Sequence, residues 1–443
     1  MKTIPLRVLK NIRYNINMLD INYIRENPKK VKSGLEKRLF KDIGLVDEVV
    51  SLDEDKRNLQ KEIENLRSER NKASSERNIE EGKKVKLALS VKEPEFEKKE
   101  KELKEKLLSL PNIPEEDVPS GPEENKKLIK KVGEPKNFSF TPKDHLDLGI
   151  ALGIIDCERA SKVSGSRFAY LKGDGVLLEF ALVNFAMEKI LKEGFTPVLP
   201  PMLIKKEITD DLGYWSGMSN EGFTNNENYY LVYDPDKNNP QSDSRLYLVG
   251  TGEHSVVPMH KDEIFDGKDL PKKYVAFSSC FRREAGTYGK DTRGILRVHQ
   301  FDKVEIVVFS KPEESENIHK QMLKISEDLM QDLGLAYQVV ILAGGDIGFP
   351  SAKTYDIETW MPGQGKYRET HSISTTTDYQ ARRLNIRYKT PEGNKFVHIL
   401  NGTVFAIGRT IIAIMENYQN EDGSIEIPKV LQKWMGKEKI ETE

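Results

Sequence analysis

From Leu45 onward the apolar positions fall into a seam. Leu45, Val49, Leu52, Leu59, Ile63 and Leu66 recur four and three residues apart, with Lys56 and Arg70 occupying two places of the same series. Such a spacing marks helices that pack lengthwise. A second series, Val85, Leu89, Phe96, Leu103, Leu107 and Leu110, predicts a return helix, and the polar run Asn71 to Gly82 predicts the turn between them. The flanks are Lys, Arg and Glu, so the pattern predicts two antiparallel helices that pack on each other and project into solvent. The first would span about 40 Å at 1.5 Å per residue. A coiled coil between chains is the alternative, and a short turn joining two mutually complementary arms argues against it. Pro94 lies in the second arm, where a lost hydrogen bond and a ring clash predict a kink or a late helix start.

Four prolines, Pro111, Pro114, Pro119 and Pro122, end this pattern and predict a linker. Leu177 to Leu191 is periodic as a helix, and Thr196 to Ile204, with Pro200 and Pro201 adjacent, predicts an edge or interface strand. The period then becomes two. Tyr274 to Glu284 and Arg297 to Phe309 flank a dozen residues containing Gly286, Gly289 and Gly294, as in a long-looped antiparallel hairpin. In the second run Val298, Val304, Ile306 and Val308 share one face, and Arg297, His299, Phe301, Lys303 and Glu305 the other. Lys290 and Arg293 sit in the connecting loop. Tyr355 to Trp360 and Lys366 to Ser374 predict another strand pair, with Glu358 and Glu369 on neighbouring strands. His398 to Asn417 predicts a strand, a glycine turn at Gly408 and a helix starting at Arg409. Ahead of the heptads, Asp20 is placed to cap a helix through Arg25, and Asn27 with Pro28 to start another. Asp234 to Ser244 predicts a polar loop without chemistry.

A chain of 443 residues has room for two to three domains. Charged residues make up 32% of it, yet the net charge is -2, so any nucleic-acid contact must use a local patch. One such patch is on the predicted arm. Arg67, Arg70, Lys72, Arg77, Lys83, Lys84 and Lys86 outnumber Glu69, Glu76, Glu80 and Glu81 there. Cys157 and Cys280 are too few for a disulfide framework or a cysteine-based zinc site, so no structural zinc is expected and a reducing cytoplasmic setting fits. With no apolar run of 18 residues and a mean hydropathy of -0.58, a membrane-spanning helix is not expected. The first 17 residues carry Lys2, Arg7, Lys10 and Arg13 without an acid, a leader of uncertain status, and structure is expected from Met18.

Arginines, an aromatic ring and a carboxylate on one sheet face suit a nucleotide together with a cationic substrate; the alternative is the solvated face of an ordinary hairpin. Glu358 and Glu369 offer the oxygen ligands magnesium takes, or else a cross-strand ion pair. Arg409 at a helix start adds charge to amides that already favour anions.

Phe281-Arg282-x-Glu284, Arg297, Gly408-Arg409 and the stretch Gly194 to Pro201 together resemble the three signature motifs of class II aminoacyl-tRNA synthetases. With DTRGILRVHQFDKVE at 291–305, RETHSIS at 368–374, NGT at 401–403 and VSGSRFAYLKGDG at 163–175, the chain resembles seryl-tRNA synthetases of the bacterial and eukaryotic type from Met18 to its C-terminus. The resemblance implies an α+β fold, an antiparallel sheet flanked by helices, preceded by a two-helix coiled-coil arm that grips tRNA(Ser). The implied domains are 18–118 for the arm and 119–443 for catalysis. The implied reaction joins serine to the 3′ end of tRNA(Ser) by way of seryl-adenylate, with tRNA(Sec) a further candidate, in a homodimer using ATP and Mg²⁺. Arg282, Glu284 and Arg409 are the implied catalytic residues. ATP would meet Arg282, Glu284, Arg297, Val298 and Phe301 on one side, and Glu369, Thr370, His371, Ser372 and Arg409 on the other. Thr251, Glu253, Arg282, Glu305 and Thr403 would take serine, and Glu369 with Ser372 the metal. Gly252 and Ser255 depart from the family pattern, and Ser255 in place of a usual proline predicts a more mobile loop. Arg282, Glu284, Glu369 and Arg409 together argue against a relative that only binds RNA, and the arm against a ligase acting on a carrier protein.

Overall fold

The computed structural model describes residues 19–214, 229–233, 245–284 and 293–442. The leader at 1–17, Gly286, Gly289, Lys290 and the loop Asp234–Ser244 lie outside the described residues. The chain forms two compact units. One comprises the described part of Met1–Pro28 together with Gly44–Leu110, and the other Lys29–Ile43 together with Pro111–Glu443.

In the first unit, helix α1 (Ile21–Glu26) starts where Asp20 accepts from the Asn22 amide at 2.9 Å. Asn27 closes α1 by donating its backbone N–H to Tyr23, and α2 (Pro28–Lys37), which from Lys29 on belongs to the second unit, begins on Pro28. Helices α3 (Leu45–Ser75) and α4 (Ile79–Leu108) realise the two heptad series. Ion pairs Glu48–Lys106, Asp55–Lys99 and Arg67–Glu93 occur in opposite order along the two helices, so they run antiparallel. Leu59, Ile63, Val85, Leu89 and Phe96 form the buried seam. Lys56 breaks that seam harmlessly: its Nζ lies 5.7 Å from the Phe96 ring centroid and 3.1 Å from Glu100, so the stem packs while the charge stays paired.

The turn is shorter than the polar run suggested. Helix persists to Ser75 and resumes at Ile79, because Ala73 still packs inside and Asn78 caps α4 by accepting from the Glu81 amide at 3.1 Å. Nor does Pro94 delay α4, which starts fifteen residues earlier and continues past it. Leu89 and Phe96 pack on either side of the proline, and burying two such side chains offsets an interior proline's cost of about 3 kcal/mol.

In the second unit an eight-stranded sheet carries β1 (Lys127–Val132), β2 (Thr196–Val198), β3 (Lys272–Phe281), β4 (Gln300–Ser310), β5 (Tyr337–Ile341), β6 (Lys353–Met361), β7 (Lys366–Thr375) and β8 (His398–Ala406), in the spatial order β1-β5-β6-β7-β8-β4-β3-β2. Pairing is antiparallel except between β2 and β3. Helices Asp174–Lys192, Ser315–Asp332 and Ile407–Asn417 supply Leu178, Phe185, Met322, Leu329 and Ile411 to a core shared with Val304, Ile306 and Val308 of β4. The run Thr196 to Ile204 divides into two strands: β2 ends before Pro200 and Pro201, which lack ladder donors, and Leu203–Lys205 joins a separate three-stranded sheet. The helix that follows β8 begins at Ile407, not at Arg409 after a glycine turn, so Gly408 and Arg409 lie within its first turn. Among the described residues no helix is long and apolar enough to cross a membrane.

Candidate active site

Beneath the sheet face opposite the helices lies a cavity of about 530 Å³. Strand alternation builds its floor. On β4, Phe301, Lys303 and Glu305 line the cavity while Val304 and Ile306 enter the core, so the face with polar residues floors a cavity, with Lys303 and Glu305 buried. Lys303 and Glu305 are both buried and paired with each other, and Thr403 of β8 donates to Glu305 Oε2 at 3.4 Å.

On β7 regular alternation would put Glu369 and Ser372 on opposite faces. A bulge at Thr370 shifts the pairing with β6 from Ile357–His371 to Glu358–Glu369, and both residues line the cavity. Glu358 itself stands opposite Glu369 but does not line the cavity. It pairs with Lys126 at 2.6 Å and accepts from Gln338 at 2.6 Å, an ion pair in place of a metal ligand.

Three arginines also line the cavity. Arg282 donates from Nε to the Gly250 carbonyl at 3.1 Å, and its guanidinium lies 5.3 Å from the Phe301 ring centroid. Arg297 pairs with Glu284 at 2.6 Å, and Arg409 with Glu369 at 3.0 Å. Thr251, Glu253, Val298, Thr370 and Thr403 also line the cavity. His371, like Glu358, does not: its ring lies 5.9 Å from that of Phe405 in the core, and burial lowers its pKa to about 4, leaving it neutral. His299 stands at the strand end with Nδ1 3.0 Å from the Arg282 carbonyl. The segment with Ser255, expected as a mobile loop, is a buried helical turn, Glu253–Val256.

Charge is unevenly compensated. Glu253 is 2% exposed, and its described hydrogen-bond donors are neutral: Tyr214 O–H, 2.9 Å from each carboxylate oxygen, and Gln380 Nε2, 2.8 Å from Oε1. Burial pushes its pKa up to about 7, a rise that the Gln380 hydrogen bond moderates and nearby Glu305 reinforces. Glu369 behaves oppositely. Burial would raise it, but Arg409 and Arg282 hold it below the usual carboxylate range. Asp356 of β6 is pushed well up by burial and by Glu369, and its Oδ1 has no hydrogen-bond partner among the described residues. No group of three or more His, Cys, Asp or Glu side chains among the described residues forms a metal cage by itself.

One wall depends on a residue whose importance has no local signal. Gly294 has φ +71°, and a Cβ there would lie 2.0 Å from His145 Nε2. His145 Nε2 accepts from the Ile295 amide at 3.2 Å, which puts its proton on Nδ1, 3.3 Å from Glu416. Ile295 and Leu296 of the cavity wall are thereby anchored. Sequence reasoning missed Tyr214, Gln380, Asp356 and His145. Lys303 was visible two residues from Glu305 on one strand face, a spacing that signals a same-face pair; the others lie far from their partners in the chain.

Comparison with known proteins agrees over nearly the whole length. Residues 18–114 match the seryl-tRNA synthetase N-terminal domain, and residues 233–418 the tRNA synthetase class II core domain (G, H, P, S and T). The serine–tRNA ligase of Thermodesulfovibrio yellowstonii is 43% identical over 441 residues, covering 95% of this chain and 99% of that protein. Among solved structures, seryl-tRNA synthetase from Pyrococcus horikoshii complexed with ATP superposes with a TM-score of 0.88 at 41% identity, covering 96% of this chain and 100% of that one. The cytoplasmic serine–tRNA ligase of Naegleria fowleri in complex with AMP gives 0.86 at 34% identity, covering 96% and 99%. With the antiparallel sheet, the paired N-terminal helices and near full-length identity above two-fifths, the chain belongs to the seryl-tRNA synthetase family of class II aminoacyl-tRNA synthetases.

Proposed function

We propose that this chain activates L-serine with ATP and transfers it to the 3′ end of tRNA(Ser), with tRNA(Sec) a further candidate acceptor. The observation that carries the reading is the charge of the cavity: a buried carboxylate with neutral donors, Glu253, shares one cavity with the cations Arg282, Arg297 and Arg409. Glu305 already has Lys303, so Glu253 is the group left to receive the serine ammonium, with Thr251 beside it. Glu305 and Thr403, already hydrogen-bonded to each other, take the hydroxyl.

Serine's carboxylate is ionised at neutral pH and attacks the α-phosphorus without a general base. An acyl–phosphate bond forms, and the bond to the β-phosphate breaks with loss of pyrophosphate. Arg282 holds the α-phosphate and the serine carboxylate, Arg297 adds a phosphate contact, and Arg409 takes the γ-phosphate, so charge that develops is met by fixed cations. Phe301 stacks on the adenine, Glu284 borders it, and Val298 and Thr370 complete the walls. Magnesium bound with ATP would neutralise phosphate charge. Glu369 and Ser372 are the oxygen donors that suit it, and the unpartnered Oδ1 of Asp356 is a third. In the second step the terminal ribose hydroxyl attacks the acyl carbon and AMP leaves.

The paired helices α3 and α4 take the tRNA through the basic surface between Arg67 and Lys86, since RNA helices are read by shape and phosphates. A homodimer forms through Phe195 to Ile204, where Leu199 and Leu203 are 82% and 42% exposed. Two free cysteines fit a cytoplasmic protein. Exchange of labelled pyrophosphate into ATP tests the activation step: serine should support it, whereas alanine should fall short by about 10⁴ because the hydroxyl's partners are left unmet. Equal exchange with alanine overturns the reading.

A further inference from the structure

The amino-acid end of the cavity is reached by two residues far from it in sequence. Arg38, just past α2, donates from Nη1 to the carbonyls of Ser351 (2.9 Å) and Asn112 (3.3 Å), and from Nη2 to those of Gly348 (2.8 Å) and Ile347 (3.0 Å). Gly348 and Ser351 line the cavity. Asn112 lies in the proline-rich linker, yet it is buried. Its Nδ2 donates to the carbonyls of Thr376 (2.8 Å) and Pro350 (2.9 Å), and its backbone N–H donates to Phe349 O at 3.0 Å. The loop 347–351 is therefore stitched from both sides to the N-terminal part of its own unit.

Two routes lead from this strap to Glu253. Thr376, fixed by Asn112, shares its hydroxyl proton between the Ile399 carbonyl at 3.0 Å and Gln380 Oε1 at 3.3 Å, and the second contact turns the amide so that Nε2 faces Glu253 Oε1. On the other side Gly348 backs Tyr214, whose Cε1 would lie 3.8 Å from a Cβ at that glycine and whose hydroxyl donates to both oxygens of Glu253. Phe349, one residue on, meets the Tyr379 ring at 6.4 Å, next to Gln380. Both donors to Glu253 are thus backed by backbone that Arg38 and Asn112 hold. The phosphate side depends on Arg297 and Arg409, and Arg282, which meets both substrates, is held by the Gly250 carbonyl; none of the strap's contacts touches these three.

We propose that Arg38 and Asn112 are positioning residues for the amino-acid subsite, acting through the 347–351 loop and Thr376 to aim Tyr214 and Gln380 at Glu253. The proposal rests on the assignment of Glu253 to serine. A planar guanidinium reaches four carbonyls at once, which a single ammonium does not. Arg38→Lys therefore keeps the charge and loosens the strap, and Asn112→Ser removes an amide too long for a hydroxyl to replace.

The test is serine-dependent pyrophosphate exchange by the full chain, with KM for serine and for ATP determined separately, in Arg38→Lys, Asn112→Ser, their double variant and Glu253→Gln. Each strap variant should raise KM for serine about tenfold, the scale of a small misplacement in a site, and leave KM for ATP within about twofold. The double variant should resemble the worse single one, because both act on one unit. General destabilisation would instead raise both constants or lower kcat alone, and either pattern overturns the proposal. Unchanged KM for serine in the strap variants beside a raised one in Glu253→Gln overturns the strap and leaves the pocket assignment standing. Unchanged KM in Glu253→Gln overturns both. If Arg38→Lys fails to fold, Asn112→Ser carries the same readout.

Discussion

Lowering the pH from 8 to 6 tests the charge state on which serine binding turns. Burial raises the Glu253 carboxyl to about 7. It is then about nine-tenths ionised at pH 8 and about one-tenth at pH 6, so KM for serine should rise about tenfold across that range. KM for ATP should not follow. Other buried groups facing Glu253 stay silent there: His254 is held well below its usual pKa by burial and by Arg282, and Tyr214 and Tyr229 are pushed up by burial. The same group has a stability signature. Between its unfolded value of 4.5 and about 7 the folded chain binds the proton more tightly than the unfolded chain, so stability declines as pH rises through that window. Above pH 7 the ionised carboxylate costs about 3 kcal/mol, at 1.36 kcal/mol per pKa unit. Glu253→Gln should consequently melt higher than the wild type at pH 8, with the difference closing toward pH 5, while its KM for serine worsens. A KM for serine that stays flat from pH 6 to 8, with no gain in melting temperature for Glu253→Gln at pH 8, refutes the reasoning.

Arg282→Ala should stay folded and lose exchange activity by about 10² to 10³, the cost of removing a fixed donor from developing charge; near-normal exchange would show that the role lies elsewhere. Deleting Lys56 to Lys99 should leave pyrophosphate exchange nearly intact while charging of tRNA(Ser) falls by orders of magnitude. Asp55–Lys99 and Lys56–Glu100 pair across the hairpin at 2.9 and 3.1 Å, so the cut ends face each other and a short turn can join them. Equal charging by the deleted and intact proteins counts against recognition through the arm. Gly294→Ala should lower stability by about 2 kcal/mol and raise KM for ATP, since its Cβ displaces His145, which anchors Ile295 and Leu296 of the cavity wall; an unchanged melting temperature would contradict the packing.

The helical hairpin was legible in the sequence because its cause is local. An apolar stripe every three or four residues with charged flanks leaves one partner for each arm, the other arm, and Asp20 capping α1 is equally short-range. Strand β4 was legible for the same reason, its period of two separating Phe301, Lys303 and Glu305 from Val304 and Ile306. Which side of that strand is wet was not. Both faces are apolar or enclosed once β3 and β8 pair with it, and only the sheet decides that its polar side chains line a cavity. Tertiary pairing also decided the bulge at Thr370 that turns Glu369 and Ser372 to one face, the continuation of α4 through Pro94, and the fixing of the proline-rich linker by Asn112. The motif at 281–284 announced chemistry, but the charge that makes Glu253 an ammonium acceptor depends on Tyr214 and Gln380, 39 and 127 residues away in the chain. A carboxylate's pKa follows from what surrounds it after folding, and no local pattern of residues encodes a neighbour that only the packed sheet and loops bring within 3 Å.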